Sequence, residues 1–170
     1  MKKGFTLIEI LVASSVFALL VGASSGIFIS SLKSQRQSLA TQDVLNQTSY
    51  LMEYMSRAIR MAQKDMTGAC TGTSKLNYAF DGQCLKFANY QGTCQQFCLV
   101  GTRLQDAGGN YLTSASSTVS AFNVVLVGER QIPTDYLQPK ATVFLRIEGK
   151  EGSKTEIQTT ISQRNPDVRK

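Results

Sequence analysis

Three patterns of apolar and polar residues follow one another along the chain. Residues 10–32 carry no charge, and a helix of that length can cross the apolar core of a bilayer. Glu53 and Arg57, four residues apart, are spaced for an ion pair on a later helical segment. From residue 76 onward, short alternating runs separated by turn residues take over. Another face of the middle segment has residues at helical spacing that are apolar or can be accommodated on a buried face. They are Leu45, Thr48, Met52, Met55, Ile59, Ala62 and Met66.

The first two patterns predict one continuous helix. No proline interrupts the chain before Pro133, and Gly68 is a stop signal after the last periodic residue. The helix should therefore run from about residue 6 to about residue 63. Its first part is typical of a membrane span, and its second part needs a partner surface along one face only.

The third pattern predicts antiparallel strands joined by short turns. In chain order, these are strand 84–90, turn 91–92, strand 97–100, turn 106–110, strand 119–127, strand 141–147, turn 149–153 and strand 155–161. The last two strands form the clearest hairpin. We therefore predict an α+β fold in which the long helix packs on one antiparallel sheet or on two small ones.

Composition narrows the function. The net charge is +6, but the basic residues are spread along the chain and never form a run of three, which is typical of a solvated surface. DNA is a conceivable partner that nothing in the sequence indicates. The chain contains no histidine, so the commonest general base and metal ligand is absent, and no serine or cysteine has a histidine to activate it. We predict no enzyme activity and no cofactor.

Glu9 is the residue that does not fit the apolar run. A carboxylate at the centre of a membrane-spanning helix costs about 2.5–3.5 kcal/mol on insertion scales, so it needs a partner. Lys2 and Lys3 favour a cytoplasmic amino terminus, with the rest of the chain outside. A cleaved secretory signal, with residues 21–23 as its cleavage site, and an ordinary single-span anchor are the alternatives. Glu9 and the return of apolar residues at 27–29 argue against the cleaved signal.

The stretch that contains Glu9 resembles a known processing motif. Residues 2–9, Lys-Lys-Gly-Phe-Thr-Leu-Ile-Glu, are similar to the prepilin signal of type IV pilins and type II secretion pseudopilins. The resemblance covers residues 1 to about 35 strictly, and the plan of a long helix with a β-rich head more loosely. It implies that a membrane peptidase cuts between Gly4 and Phe5 and methylates the Phe5 amine. It also implies that Glu9 pairs with the Phe5 amine of a neighbouring subunit during filament assembly.

The resemblance implies a type IV pilin-like organisation. Its segments are a leader peptide at 1–4, a transmembrane and filament-core helix at 5–32, an amphipathic helix half at 33–66, a β-rich head outside the cytoplasm at 67–165 and a loose tail at 166–170. The protein would cross the cytoplasmic (inner) membrane once and then enter a pilus or pseudopilus. Its partners would be other pilin or pseudopilin subunits and the prepilin peptidase and methyltransferase.

The finer resemblance is to minor subunits of the J-type or W-type, because of the cysteine-bearing head and the last strand. Two other functions stay open at this point. One is a DNA-uptake pseudopilin, which would need the basic residues to converge on the folded head. The other is a membrane-anchored or secreted binding module stabilised by disulfides.

Small residues recur every four positions in the apolar part of the helix, at Ser14, Ala18, Gly22, Gly26 and Ser30. Such a face lets helices approach closely within a membrane. A segment this rich in small residues also produces the spacing by chance, so helix packing and coincidence are both open. Major pilins commonly have a proline near this depth, and this chain has none there.

Four cysteines lie in the segment predicted to be outside the cytoplasm, where disulfides persist. If Gln91 centres the first hairpin, Cys84 faces Cys98, and Cys70 then joins Cys94. The two other pairings and a four-cysteine zinc site are the alternatives.

Asp106 and Asn110 enclose a short segment, Asp-Ala-Gly-Gly-Asn. Oxygens at such spacing are compatible with calcium, but these residue types are also typical of a plain turn, which is our interpretation. No metal site is predicted.

Overall fold

The computed structural model describes residues 4–130 and 137–164. The predicted loose tail at 166–170 lies outside the described residues. The chain divides into two compact units, Met1–Leu39 and Ala40–Lys170, and helix α1 extends from the first into the second. The elements in chain order are α1 (Leu7–Arg60), β1 (Ala79–Phe80), β2 (Cys84–Ala88), β3 (Cys94–Val100), β4 (Arg103–Gln105), β5 (Thr118–Val127), β6 (Lys140–Glu148), a 3₁₀ turn (Lys150–Gly152) and β7 (Lys154–Ser162).

The strands form two antiparallel sheets, β1-β2-β3-β4 and β5-β6-β7. The α+β, pilin-like fold class predicted from the sequence is confirmed. Both predicted hairpins have the expected register, with Cys84 opposite Cys98 in the first and Ala141 opposite Ile161 in the second. Strands β1 and β4 were not predicted, because two or three residues are too few to show an alternating pattern.

The second half of α1 buries one face, but the predicted face was partly wrong. Val44 and Leu51 are buried in place of Leu45, which is 46% exposed. Val44, Thr48, Leu51 and Met55 are four, three and four residues apart, which keeps them on one side of the helix, whereas Leu45 lies 100° further round. Met66, 55% exposed, lies beyond the helix end, where helical spacing has no meaning.

The helix ends at Arg60, earlier than the predicted residue 63 and well before the end of the 33–66 segment. Gly68 has φ +82° but lies in the following loop and does not cap the helix. The last carbonyls of a helix lack partners within it, and here groups distant in sequence satisfy them. Tyr78 Oη donates to Ile59 O and the Arg164 N–H donates to Arg60 O, both at 2.8 Å, and just beyond the helix Gln163 Nε2 donates to Ala62 O at 2.9 Å.

The core lies between the buried face of α1 and the inner faces of both sheets. Aromatic side chains dominate the part next to the first sheet, where Tyr54 meets the Phe97 ring edge-on at 5.8 Å and Phe87 lies 5.7 Å from Phe97. Aliphatic side chains of β5, β6 and β7 complete it, among them Val119, Val143, Leu145, Ile147 and Ile161. One cluster therefore joins the helix to both sheets.

A buried carboxylate organises the loop that follows α1. Oδ1 of Asp65 accepts hydrogen bonds from the N–H groups of Gly68 (2.8 Å) and Thr67 (3.2 Å). Oδ2 accepts from the N–H groups of Cys70 (2.7 Å) and Thr71 (2.9 Å). Burial acts to raise the pKa of Asp65, but the hydrogen bonds from Thr71, Cys70 and Gly68 outweigh it and hold that pKa well below its usual 3.8. The loop is thus wrapped around one negative charge.

The turn between β6 and β7 rests against the helix. Gly149 has an extended backbone, but a Cβ there would overlap Cγ2 of Val44 and lie 2.7 Å from Oγ of Ser153. Glycine is needed at this position for close approach and not for backbone freedom.

We predict that Gly149→Ala destabilises the head by about 1–3 kcal/mol, because the new methyl group must displace the buried Val44 side chain. Chemical denaturation of the full chain in a non-ionic detergent measures the effect. Val44→Ala alone should also destabilise, by opening a cavity. The double variant should be more stable than the sum of the two single effects implies, since the extra methyl then enters the vacated space. Additive effects would contradict the contact.

We further predict that Asp65→Asn lowers the free energy of unfolding by about 1.5–3 kcal/mol at neutral pH, because an amide group cannot accept all four backbone hydrogen bonds. The folded-state pKa lies below the unfolded value, so the stabilisation is complete above that value and is lost as the pH falls towards the folded one. The difference between wild type and variant should therefore shrink below about pH 4. Asp43→Asn, on the exposed surface of α1, is the control and should show no such narrowing.

Candidate functional site

The amino-terminal segment places Glu9 in the first turn of α1. The carbonyl of Thr6 accepts from the N–H groups of Glu9 (3.1 Å) and Ile10 (3.3 Å), so the helix begins directly after the proposed processing site. A carboxylate in the first turn is favourable, because it lies next to the free N–H groups of the helix. Gly4 and Phe5 are exposed, and Phe5 retains 79% of its accessible surface. None of the described residues forms an ion pair with Glu9.

Every residue from Gly4 to Leu39 is exposed. The exposed set includes large apolar side chains along the whole segment, such as Leu11, Phe17, Leu20, Ile27 and Phe28. Part of α1 is long and apolar enough to cross a membrane, and none of that part is buried within the chain. Apolar surface of this extent needs cover from lipid or from other helices.

Four serines of the apolar segment form hydrogen bonds within their own helix. Ser14 Oγ donates to Leu11 O at 3.0 Å, and Ser24 Oγ donates to Leu20 O at 2.8 Å. Ser15 and Ser25 make the same kind of bond. Their hydroxyl groups therefore do not need water, and the serines are compatible with an apolar environment.

The small residues Ser14, Ala18, Gly22, Gly26 and Ser30 lie on this exposed segment. A Cβ at Gly22 or Gly26 would meet no atom within 4 Å. Nothing inside the described chain therefore requires glycine at these two positions. Their role in packing against other helices stays a prediction.

The head contains the disulfides Cys70–Cys94 and Cys84–Cys98, the pairing favoured by the hairpin register. The first joins the loop after α1 to the start of β3, and the second crosses the β2–β3 hairpin. A four-cysteine zinc site is incompatible with this pairing, because zinc requires thiolates.

The segment 106–110 is a closed turn. Oδ1 of Asp106 accepts from the N–H groups of Gly108 and Asn110, both at 2.8 Å. The Asn110 side-chain amide also donates to the carboxylate, and this hydrogen bond is the main reason that the pKa of Asp106 is lowered. The carboxylate oxygens are used by the turn itself, which supports the plain-turn interpretation.

Several basic side chains of the head are paired with acids. Lys86 Nζ lies 2.9 Å from Asp81, and the hydrogen bond from Lys86 and those from the Cys84 and Gln83 N–H groups lower the pKa of Asp81 to about 2. Arg146 pairs with Glu156 at 2.9 Å. The predicted pair of Glu53 and Arg57 is present at 2.7 Å.

Two basic residues that the sequence analysis did not connect lie together. Arg60 and Arg164 line one cleft of about 250 Å³, with Met61, Gln63 and Tyr90. More than a hundred residues separate the two arginines, so no local pattern could have found them.

Residues 1–25 match the family model described as the prokaryotic N-terminal methylation motif. No curated protein and no solved structure matches the chain. The matched motif, the exposed apolar helix and the antiparallel head together support a membrane-anchored structural subunit of the pilin and pseudopilin type, processed by a prepilin peptidase and assembling with other such subunits.

Proposed function

We propose that this chain is a minor subunit of a type IV pilus or of a type II secretion-like pseudopilus and that it assembles through its amino-terminal helix. The observation that carries the proposal is the position of Glu9, a carboxylate in the first turn of α1 and four residues after Phe5, at the start of an exposed segment that is uncharged from residue 10 to residue 32. In a filament of like subunits, neighbouring helices would cover the exposed apolar surface, and the Phe5 amine of a neighbour would supply the positive charge that pairs with Glu9.

The proposed pairing is intermolecular. Cleavage after Gly4 would create a cationic amine at Phe5, and the Glu9 of a neighbouring subunit would neutralise it. Each charge is unfavourable alone in an apolar environment, and together they stabilise each other only at close range. The pair would therefore favour subunits at one axial offset.

The topology proposed with this role has Lys2 and Lys3 on the cytoplasmic side and the head outside. The two disulfides agree with an oxidising compartment for the head. A minor rather than a major subunit is proposed because of the cysteine-rich head and the lack of proline in the apolar helix. The segment boundaries 1–4, 5–32 and 67–165 are part of this proposal.

We predict that the mature protein begins with N-methylated Phe5. Mass spectrometry of the purified protein measures both the cleavage position and the added methyl group. Gly4→Val should leave the leader attached, because a branched side chain replaces the residue at the cleavage site, whereas Gly4→Ala should be cut in part. A mature amino terminus near Ala23 would contradict the proposal and indicate a secreted protein.

We predict that Glu9→Ala enters filaments at least about tenfold less than wild type, because it leaves a neighbour's amine buried without a partner. Glu9→Gln should be intermediate, since it retains a hydrogen bond but not the charge. Quantitative blotting of sheared filaments and of the membrane pool separates assembly from insertion.

Insertion of the Glu9 variants into the membrane should be normal or improved, because the cost of transferring a carboxylate disappears. Asp43→Asn is a matched control that removes an acidic group from the polar half of α1. Wild-type incorporation of both Glu9 variants, with an unchanged membrane pool, would show that Glu9 has no role in assembly.

A further inference from the structure

The cleft lined by Arg60 and Arg164 combines two cations with an exposed aromatic ring. Arg60 is the last residue of α1, and Arg164 follows β7. Tyr90, in the turn between β2 and β3, retains 58% of its accessible surface. Met61 and Gln63 complete the lining. The end of α1, the β2–β3 turn and the segment after β7 therefore contribute to one concave surface.

Backbone hydrogen bonds fix these parts relative to each other. The Arg164 N–H donates to Arg60 O at 2.8 Å, which places the two arginines side by side in space. Gln63 N–H donates to Ala88 O at 2.9 Å, and Gln63 Nε2 donates to Tyr90 O at 2.9 Å. None of these bonds uses either guanidinium group, so both remain available to a ligand.

Three other arginines have partners for their side chains, whereas Arg60 and Arg164, like the exposed Arg130, have none among the described residues. Arg57 and Arg146 each pair with a glutamate, and Arg103 donates to Thr113 O and stacks on Tyr111. Arg60 and Arg164 have no acidic partner among the described residues. Two positive residues that line one cleft without an acid favour the binding of an anion there.

The exposed ring of Tyr90 indicates which kind of anion the cleft would bind. Gln91 Nε2 donates to Tyr90 Oη at 3.0 Å, which restrains the exposed ring. Guanidinium groups form paired hydrogen bonds to phosphate oxygens, and an open aromatic face stacks on an unpaired base. A carboxylate side chain would form hydrogen bonds with the two arginines but would not stack on the Tyr90 ring.

We propose that this cleft binds single-stranded nucleic acid, with a backbone phosphate between Arg60 and Arg164 and an adjacent base on the ring of Tyr90. The site goes beyond the proposed filament role and does not depend on it, because every contact comes from a single chain. A failure of the binding test would therefore leave the assembly proposal untouched.

The test measures binding of a fluorescein-labelled oligothymidylate of twelve nucleotides to the full chain in non-ionic detergent. Fluorescence anisotropy is recorded at several salt concentrations. Arg60→Gln and Arg164→Gln should each weaken binding and reduce the slope of log K against log salt by about 0.7. Tyr90→Leu should weaken binding about fivefold or more, and Tyr90→Phe should retain it, since the stacking ring is kept.

Lys150→Gln is the matched control, since it removes one exposed positive charge from the β6–β7 turn. Thermal unfolding of each variant verifies that the head is intact. Equal weakening by Lys150→Gln and the two arginine variants would overturn the site in favour of general attraction by net charge. If hexaglutamate binds as tightly as the oligothymidylate, or if Tyr90→Leu does not weaken binding, the nucleic-acid assignment is overturned.

Discussion

The carboxyl-terminal end of α1 is the point on which the head depends. Helix carbonyls that lose their helical partners must find donors elsewhere, and an unpaired buried carbonyl costs about 1–3 kcal/mol. Tyr78, just before β1, donates to Ile59 O at the helix end, and Gln163, just after β7, donates to Ala62 O two residues beyond it; both side chains are fully or almost fully buried. Burial raises the pKa of Tyr78, so its hydroxyl group remains a donor at any physiological pH. These bonds therefore join the end of α1 to the segments that flank both sheets.

The two parts of the helix obey different constraints. From Val44 to Ile59, one face is buried by the chain itself, and its packing is complete within a single subunit. From Gly4 to Leu39, nothing is buried, and the hydroxyl groups of four serines donate to carbonyls of the helix itself. The first part of the helix therefore requires lipid or neighbouring helices to cover its apolar surface.

The features that could be predicted from the sequence depend on local spacing. A hairpin register follows from the position of its turn, which is why both hairpins and the pairing of Cys84 with Cys98 were found in advance. The end of α1, the short strands β1 and β4, and the cleft at Arg60 depend on contacts between residues far apart in the chain. The error at Leu45 has a different origin, since a one-residue shift of the helical stripe preserves its apolar character but changes which side chain faces the core. Gly22 and Gly26 have open space around them within the chain, so the packing role predicted for them requires another molecule.

The Cys70–Cys94 disulfide has a mechanical consequence for any protein that is pulled along its length. A force applied between α1 and the second sheet would pass across the sulfur–sulfur bond and bypass the intervening residues. With a sequence separation of 24, the bypassed loop would add about 80 Å of extension if it could unravel. The oxidised protein therefore cannot lengthen by extending this loop, and reduction of the disulfide would make that extension available.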